Sequence, residues 1–343
     1  AANVLIAHNK ARLGKELWTE AGEGEAIRVY EAVSDQDEAA FIIDRIKKLI
    51  LDEGFSRSDV AILYRSNAQS RVVEQALFNA GIPYRVYGGL RFFERAEIKH
   101  ALAYLRLMDN ADDDNSFSRV VNFPTRGIGA RSVEQLQDIS TAQGTSLYRA
   151  IHRMEGRAQA GLKKFADLIE RMRFETRGLS LADLVDKVIN ESGLIAHFQA
   201  DKDGEDRVEN LKELVNAAAS FAISEGYYQD AAATMVDEEK LITPLADFLS
   251  HASLEAGDNA AAAGQEAIQL MTAHSAKGLE FKCVFVTGLE EGLFPHENSI
   301  GNSVEGGDGT SVEAVEEERR LMYVAITRAR EQLFLSHAQQ RML

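Results

Sequence analysis

Val60-Ala61-Ile62-Leu63-Tyr64 is an unbroken apolar run, and its surroundings decide the fold. A run of this length suits a strand buried on both faces of a sheet. After it, Ser70–Ala80 carries helical spacing and stops at Gly81, and Pro83–Tyr87 reads as a further strand. Before it, Ala26–Ala32 reads as a short strand. Gln36–Glu53 is amphipathic, with Phe41, Ile42, Ile46, Leu49 and Ile50 at helical spacing and Gly54 as its stop. Strand alternating with helix predicts a parallel sheet with flanking helices.

From Gly88 to about Gly264 strand signals vanish. Helical segments follow one another at Ala96–Leu107, Ser132–Thr141, Gly161–Arg173, Leu181–Asn190, Arg207–Ser224 and Pro244–Glu255. An all-helical block of this length is expected to be a separate domain, and the Ala- and Gly-rich stretch Glu255–Gln265 reads as the connection out of it. Strands then return at Ile268–Thr272, Cys283–Gly288 and Gln332–Ser336, around a helix at Glu313–Ala329. Ile300–Ser311 is Gly-rich and reads as a mobile loop. The expected architecture is one α/β domain, residues 1–87 and 265–343, interrupted by a helical domain at 88–264.

At 343 residues, 45% hydrophobic and 27% charged, the chain has the composition of a soluble globular protein of two domains. No apolar run approaches a bilayer span and no secretory leader is expected, so no membrane partner is expected and the default compartment is the cytoplasm. The start Ala1-Ala2-Asn3 has no initiator Met, so the chain is expected to be cut from something longer. The lone Cys283 excludes an internal disulfide, and no Cys/His grouping has zinc spacing, so no metal site is expected. A net charge of −16 is awkward for a nucleic-acid binder. A local basic strip nevertheless exists: Arg85, Arg91, Arg95, Lys99, Arg106, Arg119, Arg126 and Arg131. It suits a phosphate backbone, and it equally suits a solvated helix face.

Two segments carry the chemistry. In Leu270-Met271-Thr272-Ala273-His274-Ser275-Ala276-Lys277-Gly278-Leu279-Glu280-Phe281 a strand enters a loop dense in hydrogen-bonding groups, and a second strand leaves it. Small residues and Gly278 let the backbone approach a ligand; a polar connection between two core strands would need neither the Lys nor the Glu. In Glu316-Glu317-Glu318-Arg319-Arg320-Leu321-Met322-Tyr323-Val324-Ala325-Ile326-Thr327-Arg328-Ala329-Arg330, Leu321, Val324 and Ala325 share one helical face, and Arg328 continues it. Such an arginine is placed to reach across a cleft to a phosphoryl group, or to snorkel with its stem on the core. The three glutamates read as charge complement at a helix N-terminus.

These two segments resemble motifs V and VI of superfamily 1 helicases of the UvrD/Rep/PcrA family. So do Ala61-Ile62-Leu63-Tyr64-Arg65-Ser66-Asn67-Ala68-Gln69-Ser70-Arg71, Tyr87-Gly88-Gly89-Leu90-Arg91-Phe92-Phe93-Glu94-Arg95 and Thr125-Arg126-Gly127-Ile128-Gly129, in family order. The resemblance implies a RecA-like domain of the P-loop NTPase type, called 2A, interrupted by helical domain 2B. By resemblance, Arg328 contacts the ATP γ-phosphate, and Glu280 lies near the ribose and phosphates with Lys277 and Gly278. Arg65, Asn67, Thr272 and His274 lie on a single-stranded DNA path. Arg126, Gly127 and Gly129 belong to the 2B loop that meets duplex backbone. The implied activity is ATP-dependent 3′→5′ DNA unwinding in repair or replication, with ATP and Mg²⁺ as cofactors of the whole motor.

A motor of this type needs a Walker A loop, and none occurs. The one Gly-Lys pair, Gly14-Lys15, is followed by Glu16 and has Asn9 where the first glycine belongs. Leu49-Ile50-Leu51-Asp52-Glu53 imitates the Mg²⁺-binding acidic motif but reads as a helix end. The expectation is therefore the trailing half of a motor, inactive and without cofactor alone, whose partners are single-stranded and duplex DNA and an N-terminal RecA-like domain. Repair proteins or a second copy are further candidate partners. Two alternatives stay open: a non-catalytic DNA-binding or protein-interaction module, and the motor part of a RecB/AddA-type helicase–nuclease.

Overall fold

The computed structural model describes residues 1–10, 14, 16–18, 20, 22–155, 157–202, 204–227, 243–257, 265–300 and 310–341. They form two units, Ala1–Arg91 with Gly257–Leu343, and Phe92–Ala256.

The first unit is α/β, built on β1 Arg28–Ser34, β2 Val60–Tyr64, β3 Tyr84–Val86, β4 Ile268–Thr272, β5 Phe281–Val286 and β6 Ala329–Gln340. The order across the sheet is β1-β6-β5-β2-β4-β3, and every pairing is parallel. β2 lies between β5 and β4, with Val60 opposite Cys283 and Leu63 opposite Met271. Every residue of β2 is buried because both faces are covered. Alternate side chains divide between two cores. Val60, Ile62 and Tyr64 join Ile42, Ile46 and Leu49 of the helix Asp35–Leu51, and Leu77 of the helix Ser70–Asn79. Ala61 and Leu63 face the opposite way, toward Ala273 and Ala276 and toward Leu321 and Ala325 of the helix Thr310–Ile326.

Local signals explain the element ends. Ser34 accepts a hydrogen bond from the Asp37 N–H and caps the helix Asp35–Leu51, which is why β1 runs to Ser34 rather than stopping at Ala32. Asp52 caps the other end of that helix, so the acidic imitation at 49–53 is a helix terminus. The last helix of this unit starts at Thr310, which places Glu316, Glu317 and Glu318 in its interior. The expectation of an N-terminal charge complement is therefore corrected: Glu316 and Glu318 are buried and tie the helix to neighbouring segments. Ala329 opens β6 instead of ending the helix, because it pairs with Phe281 of β5.

Among the described residues of the second unit the regular elements are all helices. It contains Ala96–Asp109, Asp114–Val120, Ala130–Gln143, Leu147–Ala150, Arg157–Glu175, Leu181–Glu191, Leu194–Gln199, Glu205–Ser224 and Pro244–Gly257. Phe92, Tyr104, Phe117, Phe165 and Phe248 are its largest fully buried side chains. Of the expected Gly-rich loop, residues 301–309 lie outside the described residues, as do 258–264 of the expected Ala/Gly connection. No helix among the described residues is long and apolar enough to cross a membrane.

Candidate nucleotide and nucleic-acid site

Arg65 is the first residue beyond β2. Its N–H and that of Ser66 both donate to the Gln69 side-chain amide oxygen, Oε1, at 2.8 and 3.0 Å, which folds the chain into the turn Asn67–Gln69. The Gln69 side chain passes so close to Gly288 that a Cβ there would lie 2.9 Å from Nε2. Across the sheet Thr272 ends β4, opposite Tyr64. Its Oγ1 accepts the Ser275 N–H at 3.2 Å and shares a 3.0 Å hydrogen bond with Ser275 Oγ, turning the chain and leaving His274 exposed. Arg65, Asn67, Thr272 and His274 thus stand at one end of the sheet, beyond the carboxyl ends of β2 and β4. Arg65 does not project freely: Nε lies 3.0 Å from both Glu318 carboxylate oxygens and Nη2 lies 2.8 Å from Oε1.

The chain then returns from β4 to β5 through residues 273–280. Ala273 and Ala276 are buried in the sheet's second core, while Lys277, Gly278 and Glu280 are exposed. Gly278 has φ +85°, a conformation that disfavours any other residue, and open space around its Cα. At the far end Phe281 N–H donates to the Arg328 carbonyl at 2.9 Å. Arg328 sits in the turn between the helix Thr310–Ile326 and β6, half-buried. Its Nε donates to the Val324 carbonyl at 3.0 Å, Nη1 to the Leu279 carbonyl at 2.8 Å and Nη2 to Thr327 Oγ1 at 3.0 Å. A guanidinium has five N–H donors, so two remain for another acceptor. Glu280 pairs with Arg330 at 3.0 Å, both well exposed. Glu280 and Arg328 therefore both stand at the amino ends of β5 and β6, with Lys277 and Gly278 on the crossover leading to them. At about 3.3 Å per strand residue, roughly 20 Å separates this end from the Thr272 end.

In the helical unit, Asn122 Oδ1 accepts the N–H groups of Arg126 and Ile128 at 2.8 and 3.1 Å. Ile128 is buried as an anchor, and Gly127, with φ +72°, and Gly129 are exposed. Gly129 caps the helix Ala130–Gln143. Arg126 is engaged within the helical unit. Its Nη1 donates to the carbonyls of Pro124 at 2.8 Å and Val120 at 3.4 Å, and Nη2 to that of Ser192 at 2.7 Å. The guanidinium also lies over the rings of Tyr104 and Phe165. Nor is the basic run 85–131 a continuous strip, since Arg95 is buried on Asn210 and Arg106 donates to Ser253.

Glu318, the Leu279 carbonyl and Asn122 were not singled out by sequence reasoning. Only Glu318 left a signal. It precedes Leu321 and Ala325 by three and seven residues, so it is a carboxylate on the helix's apolar stripe, which calls for a buried cationic partner. The described residues hold no cluster of His, Cys, Asp and Glu fit for a metal ion.

The chain matches the UvrD-like helicase C-terminal domain over residues 1–340. It is 47% identical over 351 residues to DNA helicase II of Escherichia coli K12, covering 100% of this chain and 46% of that protein. It is 38% identical over 352 residues to the ATP-dependent DNA helicase PcrA of Bacillus subtilis 168, covering 100% of this chain and 45% of that protein. It is 39% identical over 351 residues to the ATP-dependent DNA helicase UvrD1 of Mycobacterium bovis, covering 98% of this chain and 44% of that protein. The chain thus spans a little under half the length of the curated relatives it matches. With its parallel sheet and helical second unit, the chain belongs to the UvrD-like helicase C-terminal domain family.

Proposed function

We propose that this chain is the C-terminal half of an ATP-dependent 3′→5′ DNA helicase of repair or replication, acting in the cytoplasm, with residues 1–87 and 265–343 as domain 2A and 88–264 as domain 2B. The observation that carries the reading is the separation of two residue sets at opposite ends of one sheet. Arg328 and Glu280 stand at one end, Arg65, Asn67, Thr272 and His274 at the other, and residues 273–280 run between them.

The nucleotide end fits half of an ATP site. Arg328 retains free N–H donors at the surface, Lys277 adds a second cation, and Gly278 leaves its backbone open to a close approach. ATP, when bound, supplies the free energy of phosphoryl transfer. Arg328 neutralises charge on the departing phosphoryl oxygens, and Glu280 orients Arg330 and the ribose side of the site. The phosphate-cradling loop is the work of the preceding RecA-like domain. Among the described residues no cluster of His, Cys, Asp and Glu suits Mg²⁺.

At the other end, Thr272, His274, Asn67 and Arg65 grip single-stranded DNA. In 2B, the exposed Gly127 and Gly129 offer backbone N–H groups to duplex phosphates, with Ile128 anchoring the turn and Arg126 shaping the loop from inside. Domain closure on ATP and reopening after hydrolysis then move the grip along the strand. Arg328→Ala in the full-length protein tests this. Loss of DNA-stimulated ATPase with retained DNA affinity is expected, and unchanged turnover refutes it. The isolated chain is expected neither to hydrolyse ATP nor to unwind DNA.

A further inference from the structure

The carboxylate that holds Arg65 has the geometry of the ligand Arg65 is proposed to bind. Nε and Nη2 of the guanidinium face Glu318 as a two-point fork, at 2.8–3.0 Å. Glu318 is 7% exposed and Arg65 23%. Among the described residues the carboxylate has one further donor, the His296 N–H at 3.3 Å from Oε2. A phosphodiester presents the same pair of oxygens to a guanidinium fork as a carboxylate does.

We propose that Glu318 is a built-in stand-in for a backbone phosphate. It occupies the Nε/Nη2 edge of Arg65 while no nucleic acid is bound, and a phosphodiester of single-stranded DNA displaces it. The proposal rests on the reading of Arg65 as part of the single-strand path. The exchange leaves Glu318 buried with a single long hydrogen bond, an unfavourable state that holds affinity below what an unengaged Arg65 would give. It also unfastens the helix Thr310–Ile326 at Glu318. That helix leads directly into Thr327 and Arg328, so strand occupancy at one end of the sheet is felt by the arginine at the other. A brace with no such role would be served as well by an apolar contact, which carries no desolvation cost.

The test is binding of a fluorescein-labelled oligothymidylate to the 343-residue chain, followed by anisotropy across a salt series, with circular dichroism confirming the fold of each variant. Glu318→Gln is expected to tighten binding roughly three- to tenfold at low salt. The slope of log K against log salt should stay close to that of the wild type, because Arg65 meets a phosphate in both complexes and only the cost of freeing it differs. The gain should vanish in the Arg65→Ala background. Glu318→Asp, charged but one methylene short of the fork, should fall between wild type and Glu318→Gln, and keeps the test usable if the Gln variant fails to fold. Unchanged or weakened binding by Glu318→Gln, with His274→Ala and Arg65→Ala still weakening it, overturns the stand-in role and leaves the single-strand reading intact. A gain of equal size without Arg65 also overturns it, as a general effect of removing charge. No binding by any variant removes both the proposal and the reading beneath it.

Discussion

Arg328 donates from Nη1 to the Leu279 carbonyl at 2.8 Å, joining the turn before β6 to the end of the crossover before β5. Residues 273–280 follow Thr272, so a displacement of that loop at the Thr272 end has a direct mechanical route to the guanidinium. The contact also bears on the two readings that sequence left open for this arginine. A snorkelling arginine would spread its stem on the core and present its head to water, whereas here three main-chain and hydroxyl oxygens fix the head and orient its remaining donors.

Arg328→Lys discriminates the roles. A lysine keeps the charge but cannot reproduce a fork fixed at three points. In the full-length protein, kcat for DNA-stimulated ATP hydrolysis is expected to fall about 10³-fold or more, the range seen for arginines that stabilise phosphoryl transfer. Affinity for single-stranded DNA without nucleotide should stay within about twofold. Wild-type turnover in the Lys variant would show that charge alone suffices and that the fork has no role.

Arg126 makes a different prediction because its guanidinium is spent inside the helical unit. It joins Val120 and Pro124 to Ser192, 66 residues away in sequence, and covers Tyr104 and Phe165. Arg126→Ala leaves those carbonyls without their cationic donor and should destabilise the helical unit by about 2–4 kcal/mol in urea unfolding of the whole chain. Duplex affinity should fall only as the 122–129 loop loosens. Full stability combined with lost duplex binding would instead make Arg126 a direct phosphate contact.

Arg126 also shows where sequence reading stops. An arginine between Thr125 and Gly127 in a polar loop looks like a surface residue, and its third acceptor is invisible without the tertiary structure. Arg65 and Glu318 lie 253 positions apart, so their pairing was equally hidden. What was legible rests on periodicity. Val60–Tyr64 is a strand in both sequence and structure, and Leu181–Asn190 differs from its helix by one residue. Asp114–Val120 and Leu194–Gln199 span about two turns each, too short for a helical period to stand out. Ala329–Glu331 is polar and becomes strand only because β5 lies alongside it.

Gly204 and Gly127 separate two reasons for glycine. A Cβ at Gly204 would lie 1.8 Å from the Phe198 carbonyl oxygen, in a backbone conformation that any residue adopts. Gly204→Ala should therefore cost about 3 kcal/mol or more through steric displacement of the Leu194–Gln199 terminus. Gly127 has φ +72° with nothing near its Cβ position, so Gly127→Ala should cost only about 1–2 kcal/mol, from the backbone alone. Equal destabilisation of the two by thermal melting would contradict the packing at Gly204.

His100 gives the helical unit a pH dependence whose sign can be worked out. The ring stacks on Phe123 with centroids 3.9 Å apart, and Nδ1 is enclosed without a hydrogen-bond partner among the described residues. Burial, then the nearby charges of Arg119 and His197, push its pKa down from 6.5 to about 4. The folded state thus prefers the neutral ring, and between these values the unfolded chain binds a proton that the folded chain does not. Stability from this group is fully present above pH 6.5 and is lost as pH falls toward 4. His251 acts oppositely, because its hydrogen bond to Glu255 raises its pKa, so the two must be separated by mutation. With the half-buried ring discounted for solvent screening, His100 should account for about 1–2 kcal/mol of acid destabilisation. Urea unfolding of wild type and His100→Gln at pH 7.5 and at pH 4.5 measures it: the loss on acidification should be smaller in the variant by that amount. An identical loss in both proteins would mean that His100 is protonated as readily folded as unfolded, and that its enclosure against Phe123 does not hold in solution.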